Sequence, residues 1–382
     1  MDRRSLLRGG AATAGAGVVS LLGAPGSAAA APAQRPPAEP RMVLGTQRRG
    51  ATPAMLQEFK RHGVARVCGY PVDPPYDQGT GDRGFWLVSE VEQEKERIES
   101  HGMEMDMVAL PFLGSTLIDT EHRPAIMQGK SPERDRDIED VQKMIAACAK
   151  AGVGTIKYNM SILGVISTGE VPGRGGAILR QFRARDLDHS LPDTIAGKVD
   201  PDTFWERIDY FLERVVPVAN EYGVRLACHP QDPGTPPGGY RGVEENVLSV
   251  PGGKGLFRFL ELRPSPYHGL NLCCGTLSEM LWEPQREVYS IVRELVATKR
   301  VFNIHLRNIK GRRDDFVETW PDDGDIDHAK IINILADEGY DGAVDPDHVP
   351  ESEADPTQSQ AFAQGYGYIL GAIAAARHRR AT

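Results

Sequence analysis

Four stretches of this chain end in side chains able to hold a metal ion. They are Cys228-His229-Pro230, Cys273-Cys274-Gly275, Asn303-Ile304-His305-Leu306-Arg307-Asn308 and Asp345-Pro346-Asp347-His348. Each closes a short apolar run, and successive members lie about one strand–helix unit apart. Taken singly, each has an ordinary explanation. A strand-end histidine is commonly a hydrogen-bonded structural residue, a cysteine in an apolar run a small hydrophobe, and an aspartate before a helix an N-cap. Those explanations do not predict that all four recur in register. A mixed set of imidazole, thiolate and carboxylate suits a borderline divalent ion such as Zn²⁺, Fe²⁺ or Mn²⁺ and disfavours Ca²⁺ or Mg²⁺. Neighbouring side chains on a strand point to opposite faces, so only one of Cys273 and Cys274 can join the others.

Side chains at successive strand ends need a scaffold that brings those ends together. Apolar β-like runs are expected at Arg41–Gly45, Val64–Gly69, Glu104–Leu110, Thr155–Met160, Val224–Cys228, Gly269–Cys274, Val301–Leu306 and Ala343–Val344. Helix-period stretches alternate with them: Thr52–His62, Leu87–His101, Arg134–Lys150, Asp202–Tyr222, Leu256–Leu262, Pro284–Thr298 and Ile326–Glu338, with a last helix inside Gln358–Arg379. Four helix-to-strand joints place glycine after the helix, at Gly63, Gly152, Gly223 and Gly339, where a left-handed C-cap is needed. Strict β–α alternation implies parallel strands with right-handed crossovers. Eight units match a (β/α)8 TIM barrel, α/β in class, forming a single domain with long insertions in its βα loops at Gly164–Arg185 and Pro230–Gly253. A doubly wound open sheet is the alternative, and no Gly-x-Gly-x-x-Gly follows the first strand to support it.

Composition narrows the class further. The chain has 382 residues, 40% hydrophobic and 25% charged, which is the balance of a soluble globular protein. Its formal net charge of −9 argues against a nucleic-acid binder built on phosphate contacts. No run of apolar residues beyond position 33 is long enough to span a bilayer. Residues 1–33 read as a leader. Arg3-Arg4 with Leu6-Leu7 precede an uncharged Gly9–Leu22 stretch and the Ala28–Ala33 run, the pattern of a twin-arginine export signal. A Pro-rich linker, 34–40, then leads to the barrel domain, 41–382. A periplasmic or extracellular location is expected, with no stable membrane insertion after signal removal. The five cysteines are an odd number for an oxidising compartment, and the vicinal pair is poorly placed to bridge. Export in the folded state would allow a metal to be loaded first, with one thiol as ligand.

At these residues the chain resembles the mannonate dehydratases of the xylose-isomerase-like barrel group. The likeness is carried by Lys150-Ala151-Gly152 with Lys157-Tyr158-Asn159, by His229-Pro230-Gln231-Asp232-Pro233 and by Leu272-Cys273-Cys274-Gly275-Thr276. It continues through His305-Leu306-Arg307-Asn308, Phe316-Val317-Glu318, Gly339-Tyr340-Asp341-Gly342 and Pro346-Asp347-His348. The resemblance implies metal ligation by His229, Cys273, His305 and Asp347, with Mn²⁺ or Fe²⁺ as the ion. It implies acid/base work by His348 and places Asn159 and Arg307, with Asn308 beside it, around a sugar acid. The reaction implied is loss of water from D-mannonate, or a related aldonate, to give a 2-keto-3-deoxy acid. Arg307, and an arginine of the 164–185 loop, are candidates to hold the substrate carboxylate bidentately.

The chain also departs from the family. Asp345-Pro346-Asp347-His348-Val349 stands where the family has Arg-Pro-Asp-His-Gly, Pro321 replaces a histidine, and Tyr366 and Tyr368 are out of register with a late tyrosine. Two other functions stay open at this level: a sugar isomerase or epimerase on a related barrel, and a non-catalytic exported sugar-binding protein. Assembly into a homo-oligomer is also left open.

Overall fold

Proline with a side-chain acceptor starts three of the described helices, and glycine follows several of them. The computed structural model of the protein describes residues 41–76 and 83–381; the leader and linker expected over 1–40 lie outside them. The first elements are β1 (Val43–Thr46), α1 (Pro53–Arg61), β2 (Arg66–Gly69), α2 (Val88–Glu99), β3 (Glu104–Ala109), α3 (Ala125–Gln128), α4 (Pro132–Lys150) and β4 (Thr155–Asn159). Next come β5 (Gly169–Pro172), β6 (Ile178–Arg183), α5 (Pro201–Tyr222), β7 (Arg225–His229), α6 (Lys254–Leu262), β8 (His268–Cys273), α7 (Cys274–Ser278) and α8 (Pro284–Ala297). The chain closes with β9 (Val301–His305), β10 (Asn308–Arg312), β11 (Asp315–Thr319), α9 (His328–Asp337), β12 (Ala343–Asp345) and α10 (Ser359–Ala381). Thr52, Ser131 and Asp200 cap α1, α4 and α5 by accepting from Met55, Arg134 and Thr203 backbone N–H, each with proline at the first turn. Gly63, Gly152, Gly223 and Gly339 all take positive φ at the joints that require it.

Eight strands close into a parallel barrel in the order β1-β12-β9-β8-β7-β4-β3-β2, so the expected (β/α)8 fold holds. Its main apolar core lies between strands and helices, from Leu44 and Ile156 to Phe204, Leu256, Val292 and Ile331. A smaller cluster of Cys68, Met107, Ala227 and Phe302, drawn from four barrel strands, fills the barrel interior. Register aligns the functional ends: Asn159 pairs with His229, Cys273 with His305, and His305 with Asp345. Parallel strands of similar length therefore deliver these side chains to one rim.

The Gly164–Arg185 insertion is more ordered than a loop. It contains β5 and β6, which join β10 and β11 in a four-stranded antiparallel sheet of order β10-β11-β6-β5. The sheet is built from the segments after β4 and after β9, and it carries Arg180 and Glu318 to the barrel mouth. The period-2 signal of four short strands was lost among glycines and arginines.

Candidate metal centre and active-site cavity

His229, Cys273, His305 and Asp347 converge: one donor atom from each lies within 4.8 Å of every other. His229 ends β7, Cys273 ends β8 and His305 ends β9, while Asp347 lies two residues beyond β12. The His229 Nδ1–H donates to the Pro230 carbonyl at 2.7 Å, which leaves Nε2 as the free ligand atom. His305 Nδ1 stands 3.2 Å from Asp347 Oδ1, and its Nε2 3.8 Å from Asp345 Oδ2. Cys273 Sγ is 3.7 Å from Asp347 Oδ2 and accepts the Thr276 N–H at 3.4 Å. Asp347 has φ of 65°, a left-handed backbone secured by its own N–H donating to Asp345 Oδ1 at 2.8 Å. Cys274 instead heads α7 and packs into the main apolar core. All five cysteines are free and buried.

The electrostatics suit a cation. Burial, with the charges of His305 and Lys157, pushes His229 down to about 3, so its ring is neutral and able to ligate. Burial pushes the Cys273 thiol well up. Burial works the same way on Asp347, but His305, His348 and Arg307 outweigh it and hold the carboxylate well below its ordinary range. Both ring nitrogens of buried His305 lack a hydrogen-bond partner among the described residues. Orphaned imidazole nitrogens beside a thiol and a carboxylate are what a metal ion would satisfy.

Beside the quartet, Arg307 is buried and both its terminal nitrogens are engaged. Its Nη1 donates to Glu318 Oε1 at 2.6 Å, and its Nη2 to Asp232 Oδ2 at 2.9 Å, Thr276 Oγ1 at 2.9 Å and Glu279 Oε1 at 2.8 Å. That departs from the expectation that Arg307 clamps a substrate carboxylate: its fork already holds protein carboxylates. Glu279 is fully buried, and burial with Asp232 beside it raises its carboxyl well above the usual range, so it keeps its proton. His348 is the least buried member of the group, its side chain half-buried. Its Nδ1 lies 3.0 Å from Glu318 Oε2, and its Nε2 lies 3.1 Å from Arg307 Nη1 and 3.2 Å from Arg180 Nη2. Glu318 accepts the Nδ1 proton, and Nε2 is left as the acceptor.

A cavity of about 210 Å³ opens over this group, lined by Gln47, Lys157, Asn159, Arg180, His229, Asp347 and His348 among others. Asn159 is thus at the wall, where it was expected. Asn308 is not. Its amide donates to the Pro321 and Ile326 carbonyls and its Oδ1 accepts the Ile309 and Ile326 N–H, so it ties a loop together behind the site. Arg180 is the arginine supplied by the 164–185 segment. Gln47 and Lys157 escaped the sequence reading. Lys157 stood in the quoted Lys157-Tyr158-Asn159, and β alternation with Asn159 was a usable signal.

An eight-stranded parallel barrel with His229, Cys273, His305 and Asp347 gathered at its C-terminal rim defines a (β/α)8 protein with a candidate metal centre. A xylose isomerase domain protein from Planctomyces limnophilus superposes with a TM-score of 0.55 at 13% identity, over 90% of this chain and 99% of that one. The mannonate dehydratase from Streptococcus suis serotype 2 superposes with a TM-score of 0.74 at 24% identity, over 90% and 95%. The family model for D-mannonate dehydratase (UxuA) matches residues 191–379. A mannonate dehydratase of Streptococcus equi subsp. zooepidemicus is 27% identical over 352 residues, covering 85% of this chain and 88% of its own. The chain is thus similar to the mannonate dehydratases along most of its length. It is therefore an enzyme of the hydro-lyase class, and the family depends on a metal.

Proposed function

We propose that this protein removes water from a sugar acid, D-mannonate or a closely related aldonate, with Mn²⁺ or Fe²⁺ at the centre. The single observation that carries this reading is the shared cavity, in which two ligands of the quartet, His229 and Asp347, lie beside a histidine held in one tautomer. His229, Cys273, His305 and Asp347 would hold the ion. When bound, the ion supplies Lewis acidity to substrate oxygens and stabilises negative charge developing next to the carboxylate.

The proton chemistry falls to His348. Dehydration removes the weakly acidic C2 proton and needs a proton for the departing C3 hydroxyl. Glu318 keeps the proton of His348 on Nδ1, so Nε2, which accepts from Arg307 and Arg180 in this structure, is the nitrogen that would take the C2 proton once a bound substrate draws those donors away, and would return it to the C3 hydroxyl as water leaves. Arg307 and Arg180 flank Nε2, fix the ring and exclude a second tautomer. An isomerase reading prefers a carboxylate-rich ligand set, and Cys273 in the quartet speaks against it.

The test is metal analysis of the purified protein with a panel of hexonates and pentonates, read by mass. Loss of one water is expected, and His348→Asn should keep metal and substrate while slowing turnover by ~10²–10⁴. New stereochemistry without mass change, binding without turnover, or near-normal turnover of His348→Asn at saturating metal would each overturn the reading. Residues 1–33 are proposed to direct twin-arginine export. Arg3→Lys with Arg4→Lys should then strand the precursor in the cytoplasm, and normal export of that variant would refute it.

A further inference from the structure

Lys157 is the residue of the cavity whose charge is left unanswered. It lies on β4 two residues before Asn159, so both side chains face inward at the same rim. Its Nζ donates to Gln47 Oε1 at 2.7 Å. Gln47 Nε2 in turn donates to Asp347 Oδ1 at 2.8 Å, so one amide joins the ammonium to a member of the quartet. Standard amide dimensions then put Nζ within about 8 Å of Asp347 Oδ1. The other permanent cations near His348 are engaged. Arg180 pairs with Glu318 at 2.8 Å, and Arg307 is held by Asp232, Glu279 and Glu318. Lys157 makes no ion pair among the described residues, and its ammonium has three donors of which Gln47 takes one.

A half-buried ammonium with spare donors beside a metal-ligand group is satisfied best by an anion, because burying an unpaired charge is costly. A carboxylate is an anion of the right size for a cavity whose wall beside Lys157 also offers the amide of Asn159 and the hydroxyls of Ser115 and Ser161. We propose that Lys157, held in place by Gln47, binds the C1 carboxylate of the substrate and selects sugar acids over neutral sugars of the same length. The proposal deepens the dehydratase reading and rests on it for the identity of the acid. It also supplies the carboxylate partner that Arg307 cannot be. In the reaction, negative charge grows on that same carboxylate as the C2 proton leaves, so Lys157 would act on the rate as well as on binding.

The experiment is calorimetric titration of the Mn²⁺-loaded protein with D-mannonate and D-gluconate, and with the neutral alditols mannitol and glucitol. Wild type is compared with Lys157→Met and Lys157→Arg, and metal content and melting temperature are measured alongside. Met keeps the apolar stem and removes the charge. Affinity for the acids should fall ~10–100-fold, the worth of a charge-assisted hydrogen bond, while alditol binding and metal content stay unchanged. Lys157→Arg should recover most of the acid affinity, which a merely structural role would not predict. Acid binding by Lys157→Met within about threefold of wild type, or equal losses for acids and alditols, would overturn the proposal. So would a wild type that binds no acid. If Lys157→Met does not fold, Lys157→Gln carries the same comparison. Wild type that binds acids without dehydrating them would end the dehydratase reading and leave Lys157 standing.

Discussion

Cys273 and Cys274 are adjacent, identical in chemistry and both buried, yet they belong to different parts of the molecule. Cys273 is the last residue of β8 and faces the quartet, while Cys274 opens α7 and turns into the core. Alternation along the strand decides which thiol meets the metal. Cys273→Ala should strip bound metal, as should alanine at His229, His305 or Asp347, whereas Cys274→Ala should keep it at a modest cost in stability. Metal-to-protein ratios after dialysis read the difference directly. A Cys274→Ala protein without metal beside a metal-replete Cys273→Ala would place the register off by one.

The turn from β8 into α7 shows how an element holds a charged network in place. Gly275 lies so close to Arg307 that a Cβ added there would run into the Nε, Cβ and Cγ atoms of the guanidinium stem. Arg307 cannot step aside, because its fork holds Asp232, Glu279, Glu318 and Thr276 at once. Gly275→Ala should therefore destabilise the fold by ~1–3 kcal/mol, the usual cost of overpacking, and disturb the His348 partners with it. Denaturant melts together with turnover test this. A variant as stable and active as wild type would mean that the helix start shifts freely. The antiparallel sheet is the other element that places charge: β6 supplies Arg180 and β11 supplies Glu318, and both side chains contact His348.

For the molecule as a whole, buried histidines away from the metal centre set an acid limit. Burial pushes His268 and His328 down to about 4, and each has one ring nitrogen at a backbone carbonyl, of Phe259 and Arg307 respectively. Unfolded, they would titrate near ~6.5. Between those values the unfolded chain binds more protons than the folded one, so stability is complete above about pH 6.5 and is lost progressively toward pH 4. Unfolding free energy should fall steadily across that window, by on the order of 2 kcal/mol per histidine at pH 5, and the melting temperature with it. His268→Gln should flatten the slope by about one proton. A melting temperature unchanged from pH 7 to pH 5 would contradict this. No described helix is long and apolar enough to cross a membrane.

The barrel and most of the metal quartet could be read from the chain because their signals are local. Apolar runs, glycine joints and proline-started helices repeat along the sequence, and each follows from the conformational needs of a few neighbouring residues. Once eight strands close in parallel, their ends must share a rim, so strand-end donors converge without any long-range information. The surroundings of the reacting atoms are different in kind. Arg180 meets Glu318 from 138 residues away, Gln47 reaches Lys157 across 110, and Arg307 gathers carboxylates from three separate segments. Nothing in the local pattern says whether an arginine at a strand end points to substrate or is consumed by buried acids, because that depends on which carboxylates folding brings within reach. Packing turned Arg307 inward, made Asn308 a loop tie and left Lys157 facing the cavity.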